Sequence, residues 1–576
     1  MSLSAYRVAC AASSLVLSLV LLSCFAEPKR PPLDARFPKP SVTMGKAKNQ
    51  TRAQTLVKSP ASVIADAPSS PTATLPGPAV SLTLGDVLHT TLANNLAVRI
   101  QELNRQNARD EIDAARGIYD LQTNSRLNHS RSVFASRSSN GVTSTRSSGR
   151  TTVDTFSAGA SQLLPSGGQV SLDYTAQNSE TRSRSRSGAF SASSKSENDP
   201  QELALGVTQP LLRGFGPTVT NAPINIAKND ARISYEQFRL QLMQQLGGAL
   251  RSYWDLIFAI NNFDVQKVAM EQARELLRTN KVKYETGWSP ITDVLQAQAQ
   301  VADRQQSMLT AARQVQDVMD QLKNQMNIPR NIPEWRLQFI PLQKPTFFET
   351  AYDEDASMRL ALLKRPEAIQ SDLVKRNDLI RERVARNNTL PQLNVDGSLG
   401  LVDPGSGAGK GLDNYSAGLT FNYPLQNRTA RARLRQARAN VEVSDLDIEQ
   451  TRQNILQQVR TSFRAIQIAR QQIDVSRAAI EYETQKLQSE RERYDVGIAT
   501  SFELLSFQND YALAQVRYLQ AVVNYNKSLI DFEVDRGTLL DTLGIQIQNY
   551  GVSKANPADY YSSVNAAADK KAALGR

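Results

Sequence analysis

The chain has 576 residues, 67 Lys and Arg against 56 Asp and Glu, and a net charge of +11, with 40% hydrophobic and 6% aromatic residues. That length suits two to four domains and can bury a sizeable core. Its only Cys are Cys10 and Cys24 and its only His are His89 and His129. This composition excludes a Cys/His zinc set, a His-based catalytic triad and a disulfide in the body of the chain.

Residues 1–23 read as a signal peptide. Arg7 supplies the positive start and residues 11–22 an apolar run, shorter than the ~20 residues of a membrane-spanning helix. The run ends Leu21-Leu22-Ser23-Cys24, which resembles the bacterial lipobox and makes Cys24 a candidate for lipid attachment. Cleavage after Ala26 is the alternative. Residues 24–80 hold ten of the 25 prolines and are expected to be a disordered linker, too poor in apolar surface to offset its ordering entropy.

Residues 81–330 read as a first structural repeat. Ser81-Leu82-Thr83-Leu84 opens a helical region running to about Arg116. Residues 119–212 alternate with period two between Gly/Pro turns such as Leu164-Pro165-Ser166-Gly167-Gly168, the pattern of hairpins. Thr181-Arg182-Ser183-Arg184-Ser185-Arg186-Ser187 reads as a solvated surface loop. Nucleic-acid binding is disfavoured there, because no aromatic platform accompanies the arginines. Leu242, Leu246, Leu250, Tyr253, Ile257 and Ile260 then form a helical stripe within a long proline-free segment ending at Gly287. A second helix follows from about Ile291 to Gln325.

A linker is expected at 331–350, a second repeat at 351–545 and a disordered tail at 546–576. The two repeats match at an offset of 210: Tyr284-Glu285-Thr286-Gly287 against Tyr494-Asp495-Val496-Gly497, and Asp293-Val294-Leu295 against Glu503-Leu504-Leu505. Residues 428–496 contain neither Gly nor Pro, so they predict a helix of about 100 Å at 1.5 Å per residue. Such a helix needs partners along its stripe. The strands are expected to be about 9–11 residues long, the length that crosses a bilayer as tilted β-structure. One chain has too few strands for a closed barrel, and an open edge cannot face lipid, so several chains must share one.

These features together resemble the TolC-like outer-membrane efflux protein family. The resemblance rests on Leu82-Thr83-Leu84 through Asn94-Asn95, on Gln209-Pro210-Leu211-Leu212-Arg213-Gly214-Phe215-Gly216, on the two tip motifs around Gly287 and Gly497, and on Arg536-Gly537-Thr538-Leu539-Leu540. It implies an α+β membrane protein with an internal two-fold repeat. Long antiparallel helical hairpins would form a periplasmic α-barrel, and strands would enter a shared outer-membrane β-barrel. It further implies a homotrimer, a periplasmic adaptor, an inner-membrane transporter and outer-membrane lipid as partners, with no cofactor, no catalysis and no nucleic acid. Four strands per chain, hence twelve per trimer, is the expected count; six per chain, hence eighteen, is the alternative.

The same resemblance makes Glu503 a gate-ring residue. It makes Asp293, with Thr292, the partner of a hydrogen bond to Tyr494, and it makes the tips at Gly287 and Gly497 the adaptor contacts. The family's tip arginine falls on Ala499 here. Asp293 and Glu503 also suit carboxylates stabilised at helix N-termini, a role compatible with gating. Gly405-Ser406-Gly407-Ala408-Gly409-Lys410-Gly411 is not a phosphate loop, having Pro404 and Gly411 where Gly and Ser/Thr are required, and reads as a hairpin loop. A periplasmic coiled-coil structural or adaptor protein explains the helices but leaves the strands unused.

Overall fold

The computed structural model describes residues 79–139, 141, 144–187, 189–328, 335, 337–403, 412–548 and 551–553. The signal peptide, nearly all of the Pro-rich linker with Cys24, the Gly405–Gly411 loop and the tail beyond 553 lie outside the described residues.

The body opens with β1 (Ala79–Leu82), a correction to the expected helix start. β1 pairs in parallel with β7 (Gln338–Pro341), a strand inside the segment expected to be a linker. Burial holds the pair in place. Phe339 is in the core, and the buried Tyr253 hydroxyl donates to the Leu82 carbonyl at 3.1 Å. Thr83 then caps α1 (Leu84–Asn94) through a reciprocal box with Asp86. Asn95 interrupts the helix, and its side chain caps α2 (Leu96–Arg116).

Next come β2 (Gln122–Ser139), β3 (Ser144–Leu163), β4 (Gln169–Ser187), β5 (Phe190–Asn198) and β6 (Gln201–Pro210). After the short α3 (Pro217–Thr220), the long α4 (Ala222–Glu285) and α5 (Ile291–Gln325) make a hairpin. Following β7, the second half runs α6 (Glu354–Lys364), α7 (Pro366–Asn387), β8 (Gln392–Asp403), β9 (Leu412–Asn422), α8 (Arg428–Asp495) and α9 (Ser501–Arg536). α10 (Leu539–Thr542) and a hairpin of β10 (Gln546–Gln548) and β11 (Gly551–Ser553) close the described chain. The hairpin stands where a disordered tail was expected to begin, and Ile547 packs on the core. Both junctions between long helices keep the offset of 210, Glu285 with Asp495 and Ile291 with Ser501.

The stripe read from the sequence is the core of the first hairpin: Leu242, Leu246, Leu250, Tyr253 and Ile257 are buried with Val315, Met319 and Leu322 of α5. α4 also packs on α2, α7 and α9, and α8 on α7 and α9. Ile455, Val459, Ile466 and Ile473 of α8 meet Val522, Tyr525 and Phe532 of α9.

The strands form one antiparallel sheet in the order β2-β3-β4-β6-β8-β9, with β5 also on β4. β5 and β6 share one continuous register against β4, Ser179 opposite Asn198 and Ala176 opposite Gln201, so they are a single lane broken at Asp199-Pro200. Proline removes a ladder donor there. The chain therefore contributes six lanes, not the four expected. β2, β3 and β4 are also longer than expected, at 18, 20 and 19 residues. The Arg182–Ser187 run, expected to be a loop, is the far end of β4. Its alternating Ser and Arg continue the period of two with no Gly or Pro to stop it.

Apolar side chains occupy one face of the sheet near the helical end. One row runs Ala160, Leu172, Leu205, Leu399 and Tyr415 across β3, β4, β6, β8 and β9. The opposite face carries Asp173, Ser171, Asp396, Ser398 and Ser416, with Asp396 accepting from Thr208 and Thr420. Among the described residues no helix is long and apolar enough to cross a membrane.

Candidate gate at the helical tips

Each helical hairpin turns through the same backbone device. After α4, the Gly287 amide donates to Tyr284 and the Trp288 amide to the Lys283 carbonyl at 2.8 Å. After α8, the Gly497 amide donates to Tyr494 and the Ile498 amide to the Arg493 carbonyl at 2.9 Å. These paired bonds satisfy the last helical carbonyls and demand a left-handed residue between them. Gly287 and Gly497 supply it at φ of 77° and 81°. The turns present Trp288, Val496, Ile498 and Phe502 to solvent, Trp288 at 88% exposure.

Glu503 stands in the first turn of α9 and is exposed. Its carboxylate accepts from the Thr500 amide at 2.8 Å and the Thr500 hydroxyl at 3.0 Å, while its own amide donates to that hydroxyl at 3.3 Å. These bonds favour the charged form. The Thr500 amide, ahead of its hydroxyl, holds the Glu503 carboxyl below the usual range. Asp293 occupies the matching turn of α5, half-buried, and accepts from the Ser289 hydroxyl at 2.6 Å. Thr292 beside it is exposed.

Within the chain, the expected bond between Asp293 and Tyr494 is replaced by another. The Tyr494 hydroxyl donates to the side-chain oxygen of Asn280 at 2.7 Å. Asn280 also accepts from Ser501 at 3.3 Å, and its amide donates to the backbone carbonyl of Asp293 at 3.3 Å. Tyr494 thus reaches the residue Asp293 through Asn280, while the Asp293 carboxylate is taken up by Ser289. Leu276, Tyr494, Leu504 and Leu505 enclose this site, and the Lys283 ammonium lies 3.8 Å from the centre of the Tyr494 ring.

Asn280 was not singled out from sequence, yet it carried a signal. It continues the buried series Ala273, Leu276 at helical spacing, a polar residue at an apolar position. At the offset of 210 stands Glu490, also buried and paired with Arg493 at 2.7 Å. Both copies therefore interrupt the stripe with a polar group about two turns before the tip glycine.

A family model described as "Outer membrane efflux protein" matches residues 376–532, from the middle of α7 to the last turn of α9. Over that segment the chain is similar to outer membrane efflux proteins. Members of this family are transport channels, not enzymes. Over 309 residues the chain is 25% identical to the alkaline protease secretion protein AprF of Pseudomonas aeruginosa, covering 50% of this chain and 62% of that protein. Over 304 residues it is 22% identical to the outer membrane protein TolC of Escherichia coli, covering 50% and 60%. The matches thus span under two thirds of either relative. The fold is similar to that of the outer-membrane channel OprN, with a TM-score of 0.58 at 15% identity over 79% of this chain and 90% of that one. The Campylobacter jejuni CmeC outer membrane channel gives 0.56 at 16% identity over 83% and 88%. The outer membrane efflux fold is thereby established for the helices and sheet together.

Proposed function

We propose that the chain is one subunit of a homotrimeric outer-membrane exit duct, passively conducting substrates across the periplasm and outer membrane in a tripartite efflux or secretion system. The observation that carries this reading is the apolar band on one face of a sheet whose outer strands, β2 and β9, pair on one side only among the described residues. An unpaired strand edge in hydrocarbon leaves backbone groups costing several kcal/mol each. Sharing the sheet among copies removes those edges, and three copies of six lanes make an eighteen-stranded barrel. The band then faces lipid and the Asp173, Asp396 and Ser398 face lines the water-filled interior.

In this reading the helical hairpins form the periplasmic tube, and their tips at Gly287 and Gly497 meet the adaptor, which links to an inner-membrane transporter. Trp288, Val496 and Ile498 offer the apolar contact. Glu503, Asp293, Thr292 and Tyr494 belong to the gate. Cys24 carries the lipid, and incorporation of labelled fatty acid into wild type but not Cys24→Ser tests that assignment. The channel itself is tested by purifying the protein in detergent, measuring its mass, and recording conductance in a planar bilayer. Heat-modifiable trimers that open channels are expected. A protein that stays soluble without detergent and opens none is instead a coiled-coil structural or adaptor protein.

A further inference from the structure

Beyond the apolar band, the long strands continue as a polar sheet with unlike faces. Arg182, Arg184 and Arg186 of β4 fall on the same alternate positions as Leu172 and Tyr174, and are exposed. Arg146 and Arg150 of β3 continue the positions of Phe156 and Ala158, and Arg137 of β2 continues that of Leu127. The arginines therefore share the outward face with the apolar band. The inner face at the same level is hydroxyl-lined: Thr151 with Thr181 at 3.2 Å, Ser147 with Ser185 at 3.4 Å and Ser183 with Ser194 at 2.7 Å.

The register stacks like charges. Arg137 lies opposite Arg146, and Arg146 opposite Arg186. Arg150 lies opposite Arg182, and Arg182 opposite Lys195. Directly opposed like charges destabilise a strand pair. The acids on this face do not compensate. Glu180 binds Arg182, Glu197 binds Lys195, and Asp154 binds His129. Arg137, Arg146, Arg150, Arg184 and Arg186 form no salt bridge among the described residues.

We propose that this outward arginine face docks the phosphates of a phosphorylated glycolipid in the outer leaflet. The inference rests on the outer-membrane placement proposed above. The face looks sideways along the membrane, where only lipid lies, and not into the conduit. Arg150 and Arg182 stand six residues beyond Phe156 and Ala176, about 20 Å along the strand and ~15 Å in height at a tilt near 40°. A simple phospholipid headgroup layer reaches only about 5–8 Å beyond the hydrocarbon, so the matching anions are carried on sugars above it. Three opposed arginines span about 10 Å and successive rows about 13 Å. That area suits several phosphates held by guanidinium forks.

The test uses the full-length trimer and purified lipopolysaccharide with its phosphates intact or chemically removed. Bound glycolipid is measured by native mass spectrometry after detergent exchange. Wild type is expected to retain the phosphorylated form. The triple variant Arg146→Gln, Arg150→Gln, Arg186→Gln is expected to retain it about ten-fold less or worse, and Arg→Lys at the same sites to fall between. Equal retention by wild type and the Gln variant overturns the proposal. So does equal retention of the dephosphorylated lipid by wild type, a comparison needing no mutant to fold. Tighter binding of a short DNA duplex than of glycolipid overturns it in favour of a soluble polyanion. Channel recording on the same samples separates the two readings: conductance without lipid retention removes only this proposal, and loss of both removes the placement beneath it.

Discussion

The Tyr494 hydroxyl donates to the Asn280 side chain over 2.7 Å in a buried site, and so ties the second helical hairpin to the first close to both turns. Asn280 serves two hydroxyls and one backbone carbonyl at once. Asn280→Ala strands the Tyr494 and Ser501 hydroxyls, while the Asp293 carbonyl keeps its place in the helix, and a buried group so stranded costs about 1–3 kcal/mol. Tyr494→Phe removes one donor and costs about 1 kcal/mol, keeping the ring against Lys283. Denaturant unfolding should rank the two in that order. If the tips close the pore, both variants raise conductance. Unchanged conductance in Asn280→Ala places the closure elsewhere.

The two tip glycines make a cleaner test of backbone alone. A methyl group at Gly287 or Gly497 would meet open space, so any cost arises from their positive φ. Alanine at either position should lose about 1–2 kcal/mol, and asparagine less. An alanine variant as stable as wild type would show that the turn does not need its left-handed residue.

What the sequence made legible follows from how local each signal is. The long helices and the tip glycines were readable because apolar spacing and the absence of Gly and Pro act within a few turns. The start of α5 at Ile291 and the span of α8 fell where that pattern put them. The length of β4 was not legible, because Arg-Ser alternation has no apolar member and resembles a solvated loop until a neighbouring strand pairs with it. β1 and β7 were missed for a related reason: four residues each, they are fixed by each other and by the Phe339 contact, far apart in sequence. Asn280 was passed over because its partners, Tyr494 and Ser501, lie more than two hundred residues away. Within the chain the Tyr494 hydroxyl that the family resemblance assigned to Asp293 is taken by Asn280, and Asp293 accepts from Ser289, a pairing set by residues the resemblance did not include.

Six lanes per chain set the width of any shared barrel. Eighteen strands give a diameter about half as large again as twelve, with a correspondingly higher conductance in its strand section. Closure also requires β2 of one subunit to lie beside β9 of the next. A cysteine fixed at Ala417, tested against a series of single cysteines along Gln122–Leu127, should form a disulfide between subunits at one or two positions of the series. Subunits that trimerise with no such cross-link anywhere in the series would show that the sheet closes through other strands.

Glu503 distinguishes capping from gating, because the two roles respond differently to glutamine. Glutamine at this position of a capping box still accepts from the Thr500 amide, but carries no charge. Glu503→Gln should therefore keep both halves of the box, whereas Glu503→Ala keeps only the bond from its own amide to the Thr500 hydroxyl and loses the other half along with the charge. The sign of the pH dependence follows from the depressed carboxyl. Its folded value lies below the ordinary glutamate value, so its contribution to stability is present above that ordinary value and is lost as the pH falls through the folded one. Wild type should thus lose stability in that acid range by a component that Glu503→Gln lacks. A trimer adds the opposite influence, since three carboxylates around one axis disfavour full ionisation and attract cations. On the gate reading, divalent cations applied from the periplasmic side block wild-type channels, and both variants relieve the block. Glu503→Gln channels with wild-type block and selectivity would leave Glu503 a helix cap and nothing more.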